Sequence, residues 1–247
     1  MGEHSQIIKL DATDSTNLYL RSMARAKNLE DYTCVVTRAQ EKGRGQMGTS
    51  WQSQPGKNLT FSMLKKFGAL PAGQQVKINI GVSLAIYDTL VRLNIPNLKV
   101  KWPNDIMSGS DKICGILIEN VLKGQAIQNS IIGIGLNVNQ MEFDNLEKVA
   151  SLKSILGHSL ELEELLQKLL ARLKFQLHDI EKKTIEELLP QYSKKLFRKN
   201  KPSTFKDEQG EVFMGFIRGV SHQGKLVLEL EDQIFREYGL KEVSLLS

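Results

Sequence analysis

Apolar positions recur along this chain with two periods. Ile80, Leu84, Tyr87 and Val91 fall at spacings of four, three and four, which predicts a helix over 74–94 with one buried face. Leu162, Leu166, Leu169, Leu173, Leu177 and Ile180 line one side of a second helix, over about 160–181. Asp14-Ser15-Thr16-Asn17 offers N-cap candidates ahead of LYLRSMARAKNL, which has helical character. Shorter runs read as strands: QIIKL (6–10), TCVVTRA (33–39), LTFSMLK (59–65), LKVKW (98–102), KICGILIE (112–119) and SIIGIGLNV (130–138). Their β-branched content and near-continuous apolar runs predict strands covered on one face by helices. A shorter helix is expected before Pro202. Beyond it, EVFMGFIRGV, KLVLELE and QIFREYGL alternate apolar and polar residues between turn signals, the pattern of a small all-β module. The predicted architecture is α/β (α+β): a mixed β-sheet flanked by helices over 1–195, then a β module over 202–247.

Composition narrows the classes. The 247 residues are 41% hydrophobic and 25% charged, values of an ordinary globular chain with room for a sizeable core. No apolar run approaches the roughly 20 residues of a membrane span. The N-terminus, MGEHSQIIKLDATDS, lacks a basic flank followed by an apolar stretch, so no signal peptide is read there. Two cysteines and four histidines make neither a disulfide framework nor a zinc site. The expected location is cytoplasmic, without membrane contact. The net charge of +5 is a mild excess, weaker than the clustered footprint of a dedicated nucleic-acid binder.

Residues 40–58 are rich in Gly, Gln, Ser and Pro and predict a long loop. Inside it, Gly43-Arg44-Gly45-Gln46-Met47-Gly48 fits the G-x-G-x-x-G pattern of dinucleotide folds. That fingerprint needs a helix immediately afterwards, and Thr49-Ser50-Trp51-Gln52-Ser53-Gln54-Pro55 is no amphipathic helix. A Walker A match fails too, since Gly56-Lys57 is followed by Asn58. The glycines still permit close backbone approach to a ligand. Arg44 between two of them is able to aim a planar, permanently charged fork at a carboxylate or phosphate. A surface turn with a solvated arginine is the alternative.

KWPNDI (101–106) bends between apolar segments. Asp105 there is a candidate Mg²⁺ ligand or proton acceptor, and Asn104 a candidate ligand contact. A plain Pro-Asn-Asp β-turn is the commoner meaning of such a tripeptide. Lys112 opens the strand KICGILIE, where it would stabilise carboxylate or phosphate charge or simply sit exposed. GIGLNVN (133–139) puts two glycines in an apolar strand, a mark of close ligand approach or a bulge, with Asn137 and Asn139 on one face.

Together, DSTN (14–17), Gln40 with GRGQMGTSW (43–51), KWPNDI, KICGIL (112–117) and GIGLNVN resemble the biotin–protein ligases, in order and spacing, over about residues 5–247. The resemblance implies a class II synthetase-like catalytic domain followed by a small C-terminal β-barrel. It implies that biotin and MgATP give biotinyl-5′-AMP and pyrophosphate, and that a lysine of a biotin carboxyl carrier protein or domain then takes the biotinyl group. By position it implies Arg44, Lys112 and Asp105 as catalytic residues, Asp105 also as the Mg²⁺ ligand. Ser15, Thr16, Asn17, Gln40, Arg44, Gly45, Gln46, Lys112, Gly115 and Gly135 would bind biotin, the last two as the pocket floor. Arg44, Trp51, Asn104, Lys112 and Asn137 would bind ATP. Many relatives carry GRGRRG where this chain has Gln46 and Met47, which puts a charge contact to the adenylate in question. With so few residues ahead of the first strand, no helix-turn-helix and no DNA binding are expected; a monomer or homodimer is. Two other readings share parts of the pattern. A lipoate–protein ligase-like acyl-adenylate transferase differs in the acid that drives pyrophosphate release, and no arginine-led triple-glycine run of that family is seen. A non-catalytic module for RNA or an acidic partner is opposed by 6% aromatic content.

Overall fold

The computed structural model describes residues 6–144 and 146–246; the start of the N-terminal stretch inspected for a signal peptide, residues 1–5, lies outside them. The chain opens with β1 (Ile7–Thr13), α1 (Thr16–Ala26) and β2 (Cys34–Gln40), and β1 pairs with β2 in parallel. The pairings that follow are antiparallel, among β3 (Leu59–Pro71), β4 (Leu98–Lys101), β5 (Asp105–Ser108), β6 (Asp111–Lys123) and β7 (Ala126–Leu136). The result is a mixed seven-stranded sheet in the order β1-β2-β3-β7-β6-β5-β4.

Helix α2 (Gln75–Arg92) packs against β4, β5 and the later helices α4 (Leu162–His178) and α5 (Ile185–Ser193). It is buried nearly all round rather than along one stripe. Ile78, Val82, Ala85 and Ile86 are as buried as Ile80 and Leu84, while Val91 faces solvent. Two layers of neighbours explain this: the sheet lies on one side of α2 and a second helical layer on the other. The α4 stripe matches its sequence pattern, with Leu166, Leu169, Leu173 and Leu177 buried. Helix α5 starts with a capping box, Thr184 and Glu187 satisfying each other's backbone amides. The five-residue α3 (Leu152–Leu156) starts likewise from Ser151 and Ser154.

The sheet is covered on both faces, not one. Leu20, Leu29, Val35, Leu64 and Ile131 form a second, smaller cluster under α1. The opposite face carries Phe61, Met63, Ile132 and Ile134 into the main core. Strand alternation makes this division, since Met63 and Leu64, or Ile131 and Ile132, necessarily point opposite ways.

The C-terminal strands are β8 (Pro202–Asp207), β9 (Val212–Val220), β10 (Leu226–Glu229), β11 (Phe235–Tyr238) and β12 (Val243–Leu245). They pair antiparallel in the order β11-β10-β9-β8-β12. Among the described residues β11 and β12 do not pair with each other, so the expected barrel is here an open five-stranded sheet. Phe205, Ile217, Leu228 and Val243 join the main hydrophobic core, and the Trp102 indole donates to the Gly224 carbonyl at 2.9 Å. Among the described residues no helix is long and apolar enough to cross a membrane.

Candidate active site

The register of the sheet builds the site. Thr60 of β3 lies opposite Gly135 of β7, Gly135 opposite Gly115 of β6, and Gly115 opposite Asp105 of β5. These four residues form one row across the sheet on the α1 side. Two residues along the strands, Ser62, Gly133 and Leu117 form the next row, and Leu64, Ile131 and Glu119 the one after. Over the first two rows opens a cavity of about 330 Å³. Its wall also includes the start of α1, the glycine turn, the Trp102–Asp105 bend, Lys112 and, from the C-terminal segment, Leu240, Lys241 and Val243.

At one end stands the start of α1. Ser15, Thr16 and Asn17 are each about 3% exposed. The Thr16 amide donates to Gln40 Oε1 at 2.9 Å, so a side chain from β2 satisfies a helix N-terminal donor that Ser15 leaves uncapped. Ser62 Oγ lies 2.7 Å from Thr16 Oγ1 and donates to Asn17 Oδ1 at 2.6 Å. Asn17 Nδ2 donates to Glu119 Oε2 at 2.8 Å and to the Leu117 carbonyl at 3.3 Å. Asn17 is thus held on both its amide oxygen and nitrogen by the protein, and its side chain fills the space that Gly133 leaves bare.

The glycine turn is a closed structure. Arg44 bridges to Ser50, the Trp51 amide donates to the Gly43 carbonyl, and the Gly45 amide donates to the Thr49 carbonyl. A Cβ on Gly43 would meet the Trp51 carbonyl oxygen at 2.1 Å, so the crossing of the two chain ends requires glycine there. The turn brings the Trp51 indole down on the sheet. A Cβ on Gly135 would lie 2.3 Å from the Trp51 ring, and one on Gly115 3.1 Å. The two glycines expected to floor a biotin pocket therefore lie beneath an indole, which itself forms a cavity wall. Trp51 Nε1 is buried and finds no hydrogen-bond partner among the described residues.

At the other end, Lys112 Nζ pairs with Asp105 at 2.7 Å and lies 5.7 Å from the Trp51 ring centroid. Asn104 is pinned to β6, its amide donating to the Ile116 carbonyl at 2.7 Å. Arg44 is half exposed and its guanidinium pairs with Glu119 at 3.6 Å. Gln46 and Met47 sit on the cavity wall, Met47 with φ of 60°. The cavity thus gathers Ser15, Thr16, Asn17, Gln40, Arg44, Gly45, Gln46, Trp51, Asn104, Asp105, Lys112, Gly115 and Gly135. Asn137 stands apart. Strand β7 ends at Leu136, and the buried Asn137 side chain donates to the Ala150 carbonyl, while Asn139 binds Leu160. They share no strand face.

Asp105, engaged with Lys112, does not make a metal cage. Among the described residues no group of three or more His, Cys, Asp or Glu side chains is placed to hold an ion. Sequence reasoning missed Glu119, Ser62 and Thr60. Their signal was period-two alternation, which sets Thr60 and Ser62 on the face that Glu119 shares. The Leu240–Val243 contribution had no local sign.

Fold and site together define a class: an α/β domain carrying a cation-flanked slot over one face of a mixed sheet. The model of the biotin/lipoate A/B protein ligase family matches residues 10–137, and the chain belongs to that family. Among curated proteins it is similar to the bifunctional ligase/repressor BirA of Salmonella typhimurium, 29% identical over 99% of this chain and 77% of the relative. It is also similar to the biotin–[acetyl-CoA-carboxylase] ligase of Paracoccus denitrificans, 35% identical over 52% of this chain and 53% of that one. Among solved structures, the biotin protein ligase of Aquifex aeolicus in complex with biotin and ATP superposes with a TM-score of 0.80. That match has 27% identity and covers 98% of both chains.

Proposed function

We propose that this chain is a biotin–protein ligase acting in two steps within one cavity. In the first, a biotin carboxylate oxygen attacks the α-phosphorus of MgATP. The bond to the β-phosphate breaks, leaving biotinyl-5′-AMP and pyrophosphate. In the second, the ε-amine of a carrier-domain lysine attacks the anhydride carbonyl, the bond to phosphate breaks, and AMP leaves as the amine sheds a proton. The first step forces an anion against a polyphosphate, so its barrier falls where fixed positive charge meets the developing charge.

The observation that carries this reading is the polarity of the slot. Hydroxyl and amide groups of Ser15, Thr16 and Gln40 line one end and suit a neutral ring with urea-like donors and acceptors. The Lys112 ammonium stands at the other and suits the carboxylate and the phosphates. Asp105 holds Lys112 in place and is the candidate to take the lysine proton. Mg²⁺ would arrive on the nucleotide phosphates, which fits the lack of a cage of three such side chains among the described residues. Residues 1–195 would form the ligase part, and 202–247 an attached β module that closes one wall.

The test is incubation with biotin, MgATP and a carrier domain, followed by mass spectrometry for a biotin adduct on one lysine. No adduct, with pyrophosphate released only when lipoate replaces biotin, would transfer the reading to the lipoate branch of the family. Salt-sensitive RNA binding with no adenylation by either acid would overturn it altogether.

A further inference from the structure

We propose that Glu119 is a positioning residue that anchors Arg44, and with it the backbone of the glycine turn, over the end of the cavity built from α1. This rests on the ligase reading for its kinetic consequence, but not for the contact itself.

Glu119 is the acidic residue in an otherwise apolar stretch of β6, and it lies in register with Ile131 and Leu64. Its side chain is only 20% exposed. A carboxylate so placed is costly unless partnered. Three groups from two separate elements meet it: Asn17 Nδ2 at 2.8 Å and Arg21 at 3.6 Å from α1, and Arg44 at 3.6 Å from the glycine turn. Asn17 is fixed in turn by Ser62 and Leu117, so the α1 side of the cluster is rigid. The Arg44 side is the one that spans from a loop to the sheet. Among the described residues Glu119 is the one carboxylate paired with Arg44.

The Lys42 amide, just before the turn, donates to the Asp14 carbonyl at 2.9 Å, and two side chains of the turn from 43 to 51 reach the sheet. Trp51 lies on Gly115 and Gly135, and Arg44 reaches Glu119. Gly43 and Gly45 flank Arg44 and offer no side chain to hold the backbone. Without Glu119, the turn would keep its internal hydrogen bonds and the Lys42 tie to Asp14, but lose the hold on the Arg44 side chain beyond it. The Arg44 guanidinium then contributes through where it holds the turn, while Lys112 supplies the charge that meets the reacting groups.

Glu119→Gln keeps the size of the side chain and an acceptor for Asn17 but removes the charge that holds Arg44. In the ligand-free full chain, amide hydrogen exchange over residues 41–51 should quicken by about tenfold, a change of the size expected from freeing one loop anchor. Arg44→Met should do the same, and the double variant should exchange no faster than either single one. Arg21→Ala, which removes the other guanidinium, should leave that segment unchanged. In biotin-dependent pyrophosphate release, both Glu119→Gln and Arg44→Met should raise KM for biotin by about tenfold with kcat nearly unchanged, the sign of lost ground-state positioning. Unchanged exchange in Glu119→Gln and Arg44→Met, additive effects in the double variant, or a fall in kcat with KM unchanged would overturn the proposal. If Glu119→Gln does not fold, Arg44→Met carries the test from the loop side. If the unaltered chain releases no pyrophosphate with biotin, the ligase reading fails while the exchange result still decides the anchor.

Discussion

Two cation–carboxylate pairs flank the cavity, and they are built differently. Lys112 and Asp105 both stand on strands of the sheet, β6 and β5, and meet at 2.7 Å. Arg44 and Glu119 join a loop to a strand and meet at 3.6 Å, with the arginine half exposed. The first pair shares its end of the cavity with an indole and the polar bend at Asn104; the second leaves its arginine half in water, which screens it. A pair between two strands fixes a charge relative to the sheet. A pair between strand and loop fixes the loop relative to the sheet. On the proposed reading, the same chemistry serves transition-state charge at one end and backbone placement at the other.

The largest expected effect lies on the strand pair. Lys112→Ala should lower biotin-dependent pyrophosphate release by about a thousandfold, roughly 4 kcal/mol, the scale of a lost preorganised electrostatic contact. Retained release with weakened carrier binding would reverse the roles assigned. Asp105→Asn should cost about ten- to fiftyfold in kcat, because Lys112 keeps its charge but loses its hold; steady-state kinetics with biotin and ATP varied in turn will separate this from a binding defect. Arg44→Ala should cost less again, about tenfold and in the biotin KM. If it matches Lys112→Ala, the contrast between the ends collapses. Raising salt toward about 0.5 M should loosen the loop pair by a few-fold in hydrogen exchange over 41–51 and leave the strand pair nearly untouched.

The smallest effect is a control on β6. Cys114 follows Lys112 by two residues and is fully buried, and burial pushes its thiol well above the ordinary range. Burial likewise pushes Cys34 up, from 9.0 to about 12. Neither thiol should react with iodoacetamide near pH 8 in the folded chain. Faster labelling of Cys114 in Lys112→Ala would mean that the strand has loosened. The raised values also carry a sign for stability. Below about pH 9 both thiols are neutral folded or unfolded; above it only the unfolded chain ionises, so stability should fall as pH rises from 9 toward 12.

Much of this was legible in the chain, for reasons that differ from residue to residue. Strands β2, β3, β6 and β7 announce themselves by apolar runs, and α4 by its leucine stripe. Four-residue β4 shows through the alternation of Leu98 and Val100 with lysines, whereas β5 (DIMS) and five-residue α3 are short and carry no such alternation or stripe. The α2 pattern pointed to one buried face because the four residues followed do lie on a line. The second layer of helices that buries its other side is a tertiary fact. At the site, Gly43 and Gly135 were visible as glycines, but not that an indole fills the space over Gly135. Asn17, expected from the resemblance to bind biotin, lines the cavity, yet its amide is spent on Ser62, Leu117 and Glu119. Asn137 fell off the end of its strand. Glu119 stayed hidden because its partners lie 75 and 102 residues away along the chain, a separation that no local pattern spans.

The position of Trp51 has an optical consequence. The chain has two tryptophans. Trp51 has an indole N–H without a partner among the described residues and lies near the Lys112 ammonium, while Trp102 is hydrogen-bonded at the junction with the C-terminal sheet. A ligand entering the slot changes the polarity around Trp51, and Trp102, which also stands on the cavity wall, adds a response of its own. In a Trp102→Phe chain, emission from Trp51 alone should shift in wavelength and intensity on titration, giving the cavity a built-in, label-free signal of occupancy on the millisecond scale of mixing experiments.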